Sequence, residues 1–395
     1  MRRVGYDGSG GSTMTVKRVP TPAGDLAWLV TDYDQVKSLL ADRRLGRSHP
    51  DPANAPRFTD SAILGKPNQG TMEEEYEAHA WMRRSLAPSF SARHMESMRP
   101  RVRQLVDGLL DELVKQDQPA NFHEAVAFPL PVLVICELLG VPFEDRARFR
   151  EWSEAASLIN DEQKSLAGLG QLFAYMGQLV ERRKAEPGDD VISRLIESSS
   201  AGQEEKIAQL SAGLLFAGHE TTVAAIDRGV MLLSLNPGQW DSLRKDPSGI
   251  SDAVEEILRL PAPTKAQVNE AGLPRYALAD LDVDGVHIPA GDLVMLGIEQ
   301  ANHDEERFPE PAVFARRESN PHLTFGFGPR FCVGAPLARV ELTEVFLALT
   351  TRFDTFELAV GIDELSPRED QLVGGVMDLP VRWKVRAETG RQLLT

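Results

Sequence analysis

The stretch Phe325-Gly-Phe-Gly-Pro-Arg330-Phe-Cys332-Val-Gly334-Ala-Pro336-Leu-Ala-Arg339 constrains this chain more than any other part of it. A lone cysteine ends a glycine-rich loop that runs straight into a helix. Gly326 and Gly328 permit sharp turns and let the backbone approach a flat ring closely. Pro336 suits the first helical turn, where its missing N–H costs nothing. The free N–H groups and dipole at that helix start favour a negative sulfur on Cys332. This is the arrangement a thiolate needs to bind haem iron from the protein side. The competing use of such a cysteine is as a buried structural residue beside a helix cap.

With 395 residues, 42% of them hydrophobic, the chain has length for two or three domains. Its motifs run from His79 to Cys332 and have to converge on one cofactor. Residues 15–395 are therefore read as one globular catalytic unit, and residues 1–14 as a flexible Gly/Ser-rich leader, with Met14 as a second candidate start. A net charge of −16 disfavours nucleic acid and anionic membranes as partners. Cys136 and Cys332 are too few for a disulfide framework, and a reducing cytoplasm fits. Cys136 lies in an apolar helical stretch and reads as core. No segment reaches the roughly 18 apolar residues of a membrane span, and no hydrophobic run follows the first charges as in a signal peptide.

Val16–Val19 and Ala27–Thr31 predict a β-hairpin, followed by a short helix over Asp34–Leu40. Residues 45–72 have no clean period and predict a long functional loop. From Glu73 to Leu258 the pattern is mostly helical, with a long apolar helix over Ile207–Leu235 and a short one over Asp252–Leu260. Short strands are expected within residues 275–297, near Phe353–Glu357 and near Leu379–Trp383. The fold class is mainly α with a minor β region.

Three further segments carry chemistry. In Phe216-Ala-Gly-His-Glu220-Thr221-Thr222, Gly218 and a mid-helix hydroxyl are expected to loosen the helix and dent it. Glu220 beside Thr221 offers an acid and a hydroxyl for proton relay. His219 is expected to point away and to be structural. Glu256 and Arg259 share one helix face at i, i+3, and on a surface such a pair would mean little. His79 and Arg83 share a face at i, i+4, where two donors could hold carboxylates that are costly to bury unpaired. His303 and Asp304, though close, are poor candidates for a metal site.

The order and spacing of these segments resemble the cytochrome P-450 superfamily, over the chain from about Gly24 to its end. The likeness is greatest to actinobacterial members that tailor secondary metabolites. The resemblance implies one haem b held between the long central helix and the helix after the cysteine loop. Cys332 is then its axial ligand, Phe325, Gly326, Arg330 and Gly334 shape the loop, and Ala217 packs against the haem face. His79, Arg83, Arg275 and Arg330 hold the propionates, Glu220 and Thr221 deliver protons, and Glu256 with Arg259 lock the loop. Gly213, Phe216, Leu372, Val373 and the 45–72 loop should face the substrate. The implied reaction inserts one oxygen atom of O2 into a small organic substrate, by hydroxylation or epoxidation. Electrons would come from an external ferredoxin and an NAD(P)H-dependent reductase, the ferredoxin docking near Arg84, Arg93 and Arg339 on a monomer. The alternatives are oxidative coupling, action on a carrier-protein-bound group, or a non-catalytic haem-binding docking protein. Two departures stand out: the usual lead and first helix before the hairpin are missing, which would leave the entrance more open, and Asp-Pro-Pro is absent before His79.

Overall fold

A computed structural model describes residues 15–68, 70–264 and 272–387. The leader over residues 1–14, and with it the question of a more open entrance, lies outside the described residues.

The hairpin comes first, β1 (Val16–Pro20) and β2 (Leu26–Val30), antiparallel with Val16 opposite Val30. Then α1 (Tyr33–Ala41) starts where the Asp32 carboxylate accepts the Gln35 N–H, and β3 (Leu45–Gly46) opens the long loop. Next, α2 (Met72–Leu86) begins with a full capping box between Thr71 and Glu74, and Glu73, Glu74 and Glu75 fill its first turn. The helices α3 (Ala92–Ser97) and α4 (Arg99–Leu113), strand β4 (Ala120–Asn121), a π-turn at His123–Ala127 and α5 (Pro129–Leu139) follow. Gly140, at φ +76°, ends α5 in the left-handed conformation that only glycine adopts freely. Then come α6 (Arg146–Ala156), α7 (Glu162–Ala185), α8 (Val191–Ser198) and the central α9 (Glu204–Leu235). After α10 (Pro237–Lys245) and α11 (Ile250–Arg259) lie β5 (Leu273–Ala277), β6 (Leu281–Val283), β7 (Val286–Ile288) and β8 (Leu293–Leu296). The chain ends on α12 (Ile298–Ala301), α13 (Ala335–Arg352), β9 (Phe353–Leu358) and β10 (Pro380–Val385).

The mainly helical expectation with a minor β region holds. The small elements β3, β4 and the π-turn carry too few residues for any period to mark them. One sheet runs β1-β2-β8-β5-β3, a second β4-β10-β9, and a two-stranded piece pairs β6 with β7. In β8 alternate residues serve two cores: Val294 and Leu296 pack with α1, while Leu293 and Met295 pack with Phe58 and Tyr276.

The 32-residue α9 is apolar on most sides because it threads the main core. It packs against α5, α7 and α13. At its crossing with α13, a Cβ on Gly229 would lie 2.1 Å from the ring tip of the fully buried Phe346. Glycine is thus what lets the two helices flanking the site come this close. Gly229→Ala should destabilise the fold by about 1–3 kcal/mol and lower the thermal unfolding midpoint of the protein.

Candidate functional site

The cysteine loop is a closed turn. Cys332 N–H donates to Phe325 O (2.8 Å) and Gly326 N–H to Leu323 O (2.7 Å). Gly326 and Gly328 sit at φ +73° and +69°, as the loop requires. A Cβ on Gly328 would stand 2.9 Å from the Ala41 Cβ, so α1 packs directly on the loop. A Cβ on Gly334 would lie 3.9 Å from the Cys332 sulfur. The Cys332 side chain is exposed and lines a partly open cavity. Surrounding protein pushes its thiol up, while the Gly334 and Ala335 N–H groups and Arg83 pull the other way.

That cavity, of about 430 Å³, lies between α9 and α13. Thr221, Thr222, Arg275, Phe325, Arg330 and Cys332 all line it. Thr221 donates its hydroxyl to Ala217 O (2.8 Å) and Thr222 to Gly218 O (3.2 Å). The expected dent is not there: α9 is α-helical throughout, and Ile135 of α5 packs where Gly218 has no side chain, 3.2 Å from where a Cβ would stand. Glu220 faces away from the cavity. Its carboxylate lies 3.6 Å from Arg368, and its Oε1 has no hydrogen-bond partner among the described residues. Burial pushes this acid up, against the pull of Arg368. His219 is buried edge-on to Phe128, centroids 4.7 Å apart, on the side away from the cavity. Ala217 and Gly213 are exposed on α9 and Phe216 is half-buried. Val373 lines the cavity, and Leu372 is half-buried with its N–H on Ser157 O.

The cations foreseen from the sequence gather at one end. Arg83 donates to Phe331 O (2.9 Å), Arg275 to Pro274 O (2.7 Å) and Arg330 to Glu75 Oε1 (2.5 Å). Burial and then Arg330 and Arg47 hold Arg275 down at about 10, and burial with Arg330 and Arg83 lowers His79. Two members escaped the sequence reading. Arg47 is buried beside them, and Glu75 accepts from the Arg47 and Ser48 N–H groups and the Ser48 hydroxyl as well as from Arg330. A helix face beginning four residues before His79 was the available signal for Glu75; nothing marked Arg47.

Behind the loop, Glu256 and Arg259 are fully buried and bonded twice, at 2.7 and 2.8 Å. Arg259 also donates to Asn302 O, while Arg317 and Asn320 donate to Glu256. Asn302 then holds the Leu323 N–H and the Thr324 hydroxyl at the loop's start. No group of three metal-ligating side chains occurs among the described residues.

The residues present fit a haem. A thiol sits on one wall of a deep, largely apolar cavity. At one end Arg47, Arg83, Arg275 and Arg330 gather around Glu75, and among the described residues this is an excess of positive charge that two propionates would balance.

A mainly helical fold with a cysteine loop facing its longest helix across such a cavity defines a haem-thiolate protein. Comparison with known proteins agrees. The cytochrome P-450 family profile matches residues 250–385. The chain is 42% identical to pentalenolactone synthase of Streptomyces exfoliatus, over 93% of this chain and 92% of that one. It is 38% identical to mycinamicin IV hydroxylase/epoxidase of Micromonospora griseorubida, over 94% and 93%. The structure of PimD, a polyene macrolide antibiotic pimaricin epoxidase, superposes with a TM-score of 0.81 at 38% identity, covering 93% of both chains. The chain belongs to the cytochrome P-450 family and is a haem-dependent monooxygenase.

One ion-pair cluster brackets the loop from both ends. Glu255 accepts twice from Arg339 (2.6 and 2.8 Å) and once from His322 (3.0 Å). Burial opposes ionisation, but these donors win and hold the Glu255 carboxyl down at about 2. Its stabilisation is therefore complete above the ordinary carboxylate range near 4.5 and lost as pH falls toward 2. Glu255→Gln should remove on the order of 2 kcal/mol at neutral pH and flatten the acid limb of a stability–pH curve between those two values.

Proposed function

We propose that this chain tailors a natural product by inserting one oxygen atom from O2 into a C–H bond or alkene of a small organic substrate. The observation that carries the reading is that Cys332 and Thr221 line one cavity, with the basic cluster at its end. The named relatives support the substrate class, since they include a mycinamicin hydroxylase/epoxidase and a pimaricin epoxidase.

A bound haem supplies the oxygen-activating chemistry, with a thiolate pushing electron density toward its far face. Cys332 is its ligand. Phe325, Gly326 and Gly334 shape the turn that presents the sulfur, and Glu256 with Arg259 brace that turn from behind. His79, Arg83, Arg275 and Arg330 would hold the propionates, and Ala217, exposed on α9, would pack against the haem. Thr221 holds its hydroxyl in the cavity wall, where a proton has to be passed. Glu220 is the proton reservoir: burial favours its protonated form, and delivery requires its carboxyl to leave Arg368 and swing toward the Thr221 side of α9. Gly213, Phe216, Leu372 and Val373 shape the substrate space. At Gly213 an added Cβ would meet nothing within 4 Å, so this part is open rather than filled.

Electrons come from an external ferredoxin and its NAD(P)H-dependent reductase. Arg84 and Arg93 are exposed near the thiolate side and suit an acidic partner. Arg339 suits it less than the sequence suggests, because Glu255 already neutralises it and Phe325 lies beneath it. A reducing cytoplasm matches two cysteines that are not joined in a disulfide. No helix among the described residues is long and apolar enough to cross a membrane.

The reduced holoprotein under carbon monoxide should show the thiolate-type absorption maximum, and Cys332→Ser should lose it; a histidine-type maximum in the unaltered protein would refute the assignment. Screening natural products by the Soret shift that follows displacement of the iron's water should find the substrate. With that substrate, Thr221→Ala should lower product formation on the order of 10²-fold while raising the peroxide released per electron consumed. An unchanged product-to-peroxide ratio would remove Thr221 from proton delivery.

A further inference from the structure

The cavity that Cys332 opens into carries positive charge in two separate places. One is the basic cluster with Arg275 and Arg330. The other is Arg228, which lines the same cavity from α9. Arg228 follows Thr221 by two turns, so it lies on the same helix face roughly 10 Å further along the axis. The electrostatic neighbours of Arg275 are Arg330, Arg47 and Glu75, whereas the charge acting on Arg228 is that of Glu299 on α12.

Arg228 is poorly satisfied where it sits. Its Nε is buried with no hydrogen-bond partner among the described residues. Leu258, Leu296 and Leu342 line the cavity with it. Burial pushes the guanidinium down and the Glu299 carboxyl up, and each group partly offsets the other's cost. A leucine would fill such a place without that cost. The charge is therefore not explained by packing, nor by the propionates, which the separate cluster serves.

We propose that Arg228, only partly compensated by Glu299, sets the reduction potential of the haem iron by placing positive charge in the wall of the cofactor cavity. The inference rests on the haem-thiolate reading above. Reduction takes one electron from the external donor and leaves the iron site one unit more negative, with no bond made or broken. A cation set among apolar side chains in the wall of that cavity favours the reduced form, because the low local polarity screens it less than bulk water would. Arg228 is thus a positioning charge for electron entry.

The test is the midpoint potential of the substrate-free holoprotein, measured by spectroelectrochemistry on variants that retain haem. Arg228→Met should move it to more negative values, and Arg228→Lys, which keeps the charge, should leave it close to the unaltered protein. Glu299→Gln, recorded at alkaline pH where the acid is ionised, should move it the opposite way. An unchanged value in Arg228→Met, or equal shifts in the methionine and lysine variants, overturns the proposal; an unchanged value in Glu299→Gln overturns the pairing. If Arg228→Met does not retain haem, Arg228→Gln takes its place in the same comparison. Failure of the haem-thiolate reading is separately visible, because the unaltered protein would then lack the thiolate-type carbon monoxide band.

Discussion

A desolvated ion pair holds the site in place. Glu256 and Arg259 are fully buried, and such a pair is tolerable only when further hydrogen bonds support it. Here they do. Arg317, Asn320 and the Ala315 N–H complete the carboxylate, Asn302 O takes another guanidinium N–H, and the Phe308 ring lies 5.0 Å beneath the cation. Every one of these partners comes from the chain between α12 and the cysteine loop. The pair therefore fixes where that stretch runs, and through Asn302 where Leu323 and Thr324 begin the turn that ends at Cys332.

Around this anchor the site is assembled from distant pieces of chain. The sulfur comes from the loop before α13, the hydroxyls from α9, and the cations from α2, β5 and the loop after β3. Close approach at Gly229 and Phe346 lets α9 and α13 flank one cavity. Elsewhere the two helices turn different faces to different tasks. Thr221 looks into the cavity, while Glu220 and His219 are buried on the side toward Arg368 and Phe128.

The parts of the site legible in the sequence were those whose chemistry is local. Cys332 with its glycines, the Glu256–Arg259 spacing and the His79–Arg83 face each declare themselves within a few residues, and α9 announces itself by length and apolarity. Glu75 and Arg47 did not, since their importance lies in contacts with each other and with Arg330 across the fold. Arg368 is invisible for the same reason: it reaches Glu220 from a loop far down the chain. Gly218 misled because a helical glycine next to threonines suggests a loosened turn, whereas the structure uses the missing side chain to seat Ile135. Local propensity yields there to tertiary packing.

Among the described residues the clustered arginines have one carboxylate between them, and this has a thermodynamic corollary. Glu75 offsets only part of the charge that Arg47, Arg83, Arg275 and Arg330 bring together, so folding of the bare polypeptide works against residual repulsion. By linkage, whatever free energy an anionic group gains on settling at that end is returned to the native state in full. The protein's resistance to unfolding is thus a function of ligand concentration as much as of sequence, and the apoprotein is its least robust form.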